Sequence, residues 1–165
     1  MNFNTIFKSL IMKKTILLFA VLLIAVIAKA QAPDFSGKWK LNNTKSTLEA
    51  EFSMAPLEVI VTHKGNDFTI EKHSDFQGET FTTTEKYTLD GKECINSVWQ
   101  DMQKKSAVTW SSDKKSFKVA STLDIGGEII TITEVFMMDG NNLVIDSSSN
   151  SSFGDMVEKM VYDKI

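Results

Sequence analysis

Few residues of this chain are of a type and placement to do chemistry. Glu134 lies between Ile132 and Phe136 in one alternating run, and Glu85 lies between Thr83 and Tyr87 in another. In a strand, residues two apart share a face, so each carboxylate points the same way as its apolar or aromatic neighbours. A carboxylate on such a face must be protonated, hydrated or paired. Three readings stay open for Glu134. It meets a hydroxyl, amine or amide of a bound molecule, helped by Tyr162, Ser121 and Ser147; it anchors interior water; or a one-residue slip turns it outward and Val135 inward. His63 shares a face with Val59 and Val61, and His73 falls on the opposite face against Glu58, so the two cannot share a metal ion. With Cys94 the sole cysteine and no dense His or carboxylate cluster, neither a metal site nor a cofactor is expected. His63 reads as a hydrogen-bonded rim residue and Cys94 as a small buried hydrophobe. A Gly-x-Ser-x-Gly elbow, a phosphate loop and a nucleotide fingerprint are all absent, and no catalytic residue is assigned.

The elements that must position these residues read as hairpins. Past Leu57, short runs rich in Val, Ile, Thr and Phe alternate apolar and polar residues and are broken by Gly, Asp or Asn. A two-residue turn fixes which residues face each other. Gly65-Asn66 pairs His63 with Phe68, Val61 with Ile70 and Val59 with Lys72. Asp90-Gly91 pairs Tyr87 with Cys94, Glu85 with Asn96, Thr83 with Val98 and Phe81 with Gln100. A loop over Ser112 to Lys115 pairs Trp110 with Phe117, Gly126-Gly127 pairs Phe117 with Phe136, and Asp139-Gly140 pairs Phe136 with Leu143. These turns align a row Trp110, Phe117, Phe136, Leu143, a second row Val108, Val119, Glu134, Ile145, and a third row Ser106, Ser121, Ile132, Ser147. The aromatic row would close one end of an interior, and the smaller rows would leave space beyond it. The fold class that follows is all-β: an antiparallel up-and-down barrel of eight to ten strands. One short helix is expected between Thr44 and Pro56, where Ser46-Thr47-Leu48-Glu49 reads as a capping box.

Lys13 and Lys14 precede an apolar run from Ile16 to Ala28 and an Ala28-Lys29-Ala30 motif, the pattern of a cleavable leader, with cleavage near Ala30-Gln31. Residues 1–30 are therefore expected to be a signal peptide, with 1–11 open to being an upstream start-site extension, and residues 31–165 one domain in a secreted or periplasmic protein. Past Ala30 there are 14 lysines against 21 acidic residues, an excess of seven negative charges that disfavours nucleic acid as a partner. The leader run is shorter than a membrane span, so no integral membrane segment is expected in the mature chain.

Phe35-Ser36-Gly37-Lys38-Trp39-Lys40-Leu41 places a Gly-x-Trp at the start of the first strand, and Met160-Val161-Tyr162-Asp163-Lys164 forms the last strand. With the hairpins between them, residues 35 to 165 resemble the calycin superfamily of lipocalins and fatty-acid-binding proteins. The resemblance implies a barrel with an interior cavity and a structural role for Trp39 and Gly37 at its closed end. It departs from the fatty-acid-binding pattern in one telling place: Met160 stands where that family carries an arginine beside the tyrosine, here Tyr162, and all 18 basic residues of this chain are lysines. That puts bidentate capture of a carboxylate in doubt.

The function expected from this reading is an extracytoplasmic binding or carrier protein for a small lipophilic ligand, not an enzyme. The expected cavity lining is Glu134, Tyr162, Met160, Ser121, Ser147, Ile132, Val119, Glu85, Tyr87 and His63, with Trp110, Phe117, Phe136 and Leu143 structural. Two alternatives are kept: a scaffold binding another protein through loops or a strand edge, and an enzyme using Glu134 or Glu85 within the cavity.

Overall fold

A computed structural model describes residues 32–165 apart from 50–52, 54, 77, 99–100 and 153. The leader segment lies outside the described residues. Ten strands follow one another: β1 (Gly37–Leu41), β2 (Glu58–Lys64), β3 (Asp67–Phe76), β4 (Glu79–Thr88), β5 (Cys94–Ser97), β6 (Gln103–Trp110), β7 (Ser116–Ile125), β8 (Glu128–Asp139), β9 (Asn142–Ser151) and β10 (Gly154–Lys164). They form one antiparallel sheet in the order β4-β3-β2-β1-β10-β9-β8-β7-β6-β5. The first and last strands lie side by side, with Trp39 opposite Lys164 and Leu41 opposite Tyr162. The sheet curls into a near-closed barrel whose remaining edges, β4 and β5, meet at a seam.

The alternation of residue types sorts side chains between inside and outside. Along β7, Phe117, Val119, Ser121 and Leu123 are buried while Lys118, Ala120 and Thr122 are exposed. Because the barrel is an up-and-down meander, alternate turns share an end. The end carrying the β2–β3, β6–β7 and β8–β9 turns is filled with rings. Phe117 stacks on Phe136 with centroids 4.9 Å apart, and meets Phe35, Phe68 and Trp110 edge-on at 5.2, 5.0 and 5.3 Å. Trp39 is buried, donates its indole N–H to the Phe35 carbonyl at 3.1 Å, and carries Lys164 over its ring. A Cβ on Gly37 would come within 3.3 Å of that indole and 3.0 Å of Lys164 Cε, so glycine lets the ring lie against the backbone.

Most of the expected register is observed, including every pair read from Gly65-Asn66, Trp110 with Phe117, and Phe117 with Phe136. Three expectations are corrected. The β8–β9 loop is Gly140-Asn141, not Asp139-Gly140, so Phe136 faces Ile145 and Glu134 faces Ser147; the shift is by two residues and the inward set is unchanged. β4 and β5 form no backbone ladder, so Tyr87 with Cys94 and Glu85 with Asn96 are not cross-strand partners; Val98 lies past the end of β5 and Gln100 outside the described residues. Ser46 to Glu49 is not a capping box: Thr47 makes a β-bridge to Lys159, the Ser46 hydroxyl accepts the Val161 N–H at 2.9 Å, and the Glu49 N–H goes to Glu158 Oε1, so the helix expected between Thr44 and Pro56 does not start there. Residues 50–52 and 54 of that segment lie outside the described residues.

Side chains span the seam in place of the missing ladder. The buried Asn96 amide accepts the Lys86 N–H at 2.7 Å and donates to the Lys86 carbonyl at 3.1 Å, and Cys94 Sγ accepts the Thr88 N–H at 3.2 Å. One amide side chain thus does for Lys86 what a neighbouring backbone would do. Asn96→Ala leaves both Lys86 groups without that partner and is expected to cost about 1–3 kcal/mol. Urea unfolding reads the loss, and hydrogen exchange should accelerate at the Lys86 amide; an unchanged midpoint and unchanged exchange would show that the seam does not depend on Asn96.

Candidate functional site

Next to the aromatic end, the inward positions turn ionic. Lys72 on β3 and Glu85 on β4 come from one side of the seam, and Lys104 on β6 and Glu134 on β8 from the other. The inward phase brings them together because each stands two residues from a buried neighbour: Ile70, Tyr87, Ser106 and Phe136 respectively. Lys72 Nζ lies 2.8 Å from Glu134 Oε1 and 3.4 Å from Glu85 Oε1, while Lys104 Nζ lies 3.0 Å from Glu85 Oε2 and 3.1 Å from Glu134 Oε2. Every carboxylate oxygen of the quartet meets a lysine. Tyr87 donates its hydroxyl to Glu85 as well.

Burial alone would push both glutamates up and Lys72 down. The opposite charges win. Desolvation raises the Glu134 carboxyl, but Lys104 and Lys72 outweigh it and hold the group far below the usual carboxylate range. Glu85 is also held low, with burial and Glu134 opposing Lys72, Lys104 and the Tyr87 hydroxyl. Lys72, against the pull of burial, is raised by Glu134 and Glu85. Burial, Glu134 and Glu85 push Tyr87 well up, and burial with Glu134 and Glu158 pushes Tyr162 up against Lys72, so both phenols stay protonated.

The structure brings together most of the expected lining and reassigns some of it. Glu134 and Glu85 face inward, Val119, Met160, Tyr162 and Tyr87 are buried around them, and Val135 is on the other face. Neither glutamate is bare, since both are saturated by lysines. Ser121 is bonded to Ser106 at 2.9 Å, and the Tyr162 hydroxyl donates to Met160 Sδ at 3.5 Å. Ser147 stands between Glu134 and Glu158 across β8, β9 and β10. His63 belongs to the aromatic end, its ring 5.7 Å from Phe35 and 6.0 Å from Phe68 and its Nε2 3.1 Å from the Gly65 carbonyl. Trp110 is half-buried there, while Phe117, Phe136 and Leu143 are fully buried.

Sequence reasoning missed Lys72, Lys104 and Glu158. The signal existed: Lys72 falls opposite Val59 on the apolar face, and Lys104 is in phase with Ser106 and Val108. Beyond the quartet, inward residues are smaller and less covered. Phe81, Thr83, Ile132, Ser147, Ser149 and Met156 are half-buried in the inward phase, so the inward face is less covered toward the end bearing the β7–β8 turn. Among the described residues, no group of three or more His, Cys, Asp or Glu is placed to hold a metal, and no helix is long and apolar enough to cross a membrane.

A meander of ten antiparallel strands, closed between its first and last members and packed with rings at one end, is a calycin-like barrel. The chain has the fold of the bile-acid-binding protein of zebrafish ileum solved with cholic acid (TM-score 0.53, 16% identity, covering 79% of this chain and 98% of that one). It also matches fatty-acid-binding protein 1 of Echinococcus granulosus (0.51, 18%, 79% and 97%) and an abundant heat soluble (SAHS) protein of Ramazzottius varieornatus (0.52, 12%, 84% and 100%). No protein-family model matches the chain, and no curated protein does.

Removing one member of the quartet leaves buried charge uncompensated. Lys104→Met should therefore cost about 3–5 kcal/mol, and adding Glu134→Gln, which leaves Lys72 with Glu85, should recover part of that loss. Because the folded state holds Glu134 and Glu85 below their unfolded value of about 4.3, their contribution is complete above that pH and is lost as the pH falls toward the folded values. Urea midpoints measured between pH 7 and pH 3 should thus drop more steeply for the wild type than for the Lys104→Met/Glu134→Gln pair. Equal slopes would mean the quartet contributes nothing to acid sensitivity.

Proposed function

We propose that the protein is a non-enzymatic binding protein that holds a small lipophilic molecule in the open half of its barrel, outside the cytoplasm. The observation that carries the binding reading is the change in inward residues along the barrel axis. One end is solid with Phe35, Trp39, Phe68, Phe117 and Phe136, whereas the other offers half-covered Phe81, Ile132 and Met156 interleaved with Thr83, Ser147 and Ser149. Apolar walls with a few hydroxyls suit an apolar body that needs orientation. The fold is shared with proteins whose names record bile acid and fatty acid as ligands. Extracytoplasmic placement rests on the basic start, apolar run and Ala28-Lys29-Ala30 motif.

Glu85 and Glu134 are each tied to lysines, so neither is free to act as a general base.

Native mass spectrometry of the protein purified from its own host, followed by solvent extraction, should show a stoichiometric apolar molecule, and the mature N-terminus should begin at or near Gln31. A clean unliganded mass together with failure to take up an uncharged lipophilic dye would overturn the binding reading. An intact N-terminus on protein retained in the cytoplasm would overturn the export reading.

A further inference from the structure

We infer that the interior selects an amphiphile whose polar end is uncharged or positively charged, and discriminates against a carboxylate. This rests on the binding reading above and narrows it to a ligand class.

Beyond the aromatic end, the inward-facing acids and bases among the described residues include Lys72 and Lys104 against Glu85, Glu134 and Glu158, with the half-buried Glu128 in the same phase of β8 accepting the Ser152 N–H. The two cations are outnumbered. Each lysine already lies between two carboxylates at 2.8 to 3.4 Å. An incoming carboxylate would have to displace Glu85 or Glu134 from them. Both are fixed on strands and about 95% buried, so the displaced group would stay inside with its charge uncompensated.

Glu158 tips the balance further. It is buried on β10 in phase with Met160 and Tyr162, opposite Ser147, which in turn is opposite Glu134. Its Oε1 accepts the Glu49 N–H at 3.1 Å, and no lysine among the described residues lies within ion-pair distance of it. A head group lodged beside Ser147 and Ser149 therefore meets acceptors and hydroxyls on one side and a layer without surplus positive charge on the other. An ammonium or hydroxyl is favoured there and a carboxylate meets like charge. His63, the remaining inward base, is at the aromatic end and is occupied by the Gly65 carbonyl.

The test uses three molecules with one tail. The purified protein is loaded with Nile red, an uncharged lipophilic dye, and titrated at neutral pH with oleyl alcohol, oleylamine and oleate. The alcohol and the amine should compete at least about tenfold more tightly than oleate, a difference of about 1.4 kcal/mol. Glu134→Gln, checked for folding by circular dichroism, releases part of the charge on Lys72 and Lys104 and should narrow the gap by tightening oleate. Oleate competing as well as the others or better, or no competition by any of the three, overturns the head-group inference while dye uptake leaves the binding reading standing. Absence of dye uptake overturns both.

Discussion

Two lysines and two glutamates share the inside of the barrel, and the requirement that all four be paired at once constrains everything around them. Any one alone would be an ion in a poorly solvating interior; together they neutralise one another within hydrogen-bonding distance. They come from four strands and meet across the line where backbone pairing stops. Lys72 and Glu85 approach from β3 and β4, Lys104 and Glu134 from β6 and β8, so the ion pairs span a seam that hydrogen-bond ladders do not close. The Asn96 amide reinforces the same junction from within the wall. A two-residue slip in any of the four strands would shift a charge along the axis into the aromatic layer or toward the opening, and the register of the whole barrel is tied to this meeting point.

Strand parity carried most of this arrangement from sequence to structure. The alternation of Val59, Val61, Phe68 and Ile70 against Glu58, Thr62, Thr69 and His73 was enough to separate the faces, and the aromatic row was legible because Trp110, Phe117 and Phe136 stand across unambiguous turns. Glu134 was legible as an inward carboxylate for the same reason. Its partners were not recognised, because a lysine in an alternating run is read as solvent-facing unless parity is followed without regard to residue type. Lys72 and Lys104 obey the parity of their neighbours, which buries Lys104 and leaves the Lys72 side chain 13% exposed.

The remaining differences have local physical causes. Gly-Asn recurs at 65–66 and 140–141, and at both places glycine takes the first loop position with φ of 61° and 58°. Reading the second turn like the first gives the observed register; Asp139-Gly140 is an attractive turn signal that loses because Asp139 stays in the ladder opposite Asn142. The capping-box pattern at Ser46 to Glu49 fails because the same hydroxyl is claimed by Val161 of β10, and a long-range strand contact takes precedence over a local helix start at Thr47. The seam could not be read from Asp90-Gly91, since a turn signal says that two strands are adjacent and does not say whether their backbones bond.

The place of β10 in the sheet has a consequence for the order in which the molecule is assembled. β1 to β4 form one run of neighbours and β5 to β9 another, and the backbone ladder joining the two runs passes through β10 alone. Ribosomal synthesis delivers β10 after the other nine. Until it emerges, a growing chain can zip two separate sheets but has no ladder with which to unite them, and the Trp39–Lys164 pairing spans nearly the whole sequence. Such non-local closure is slow. The two runs therefore stay unjoined until β10 is available, with the interior ions and apolar rows waiting on that strand.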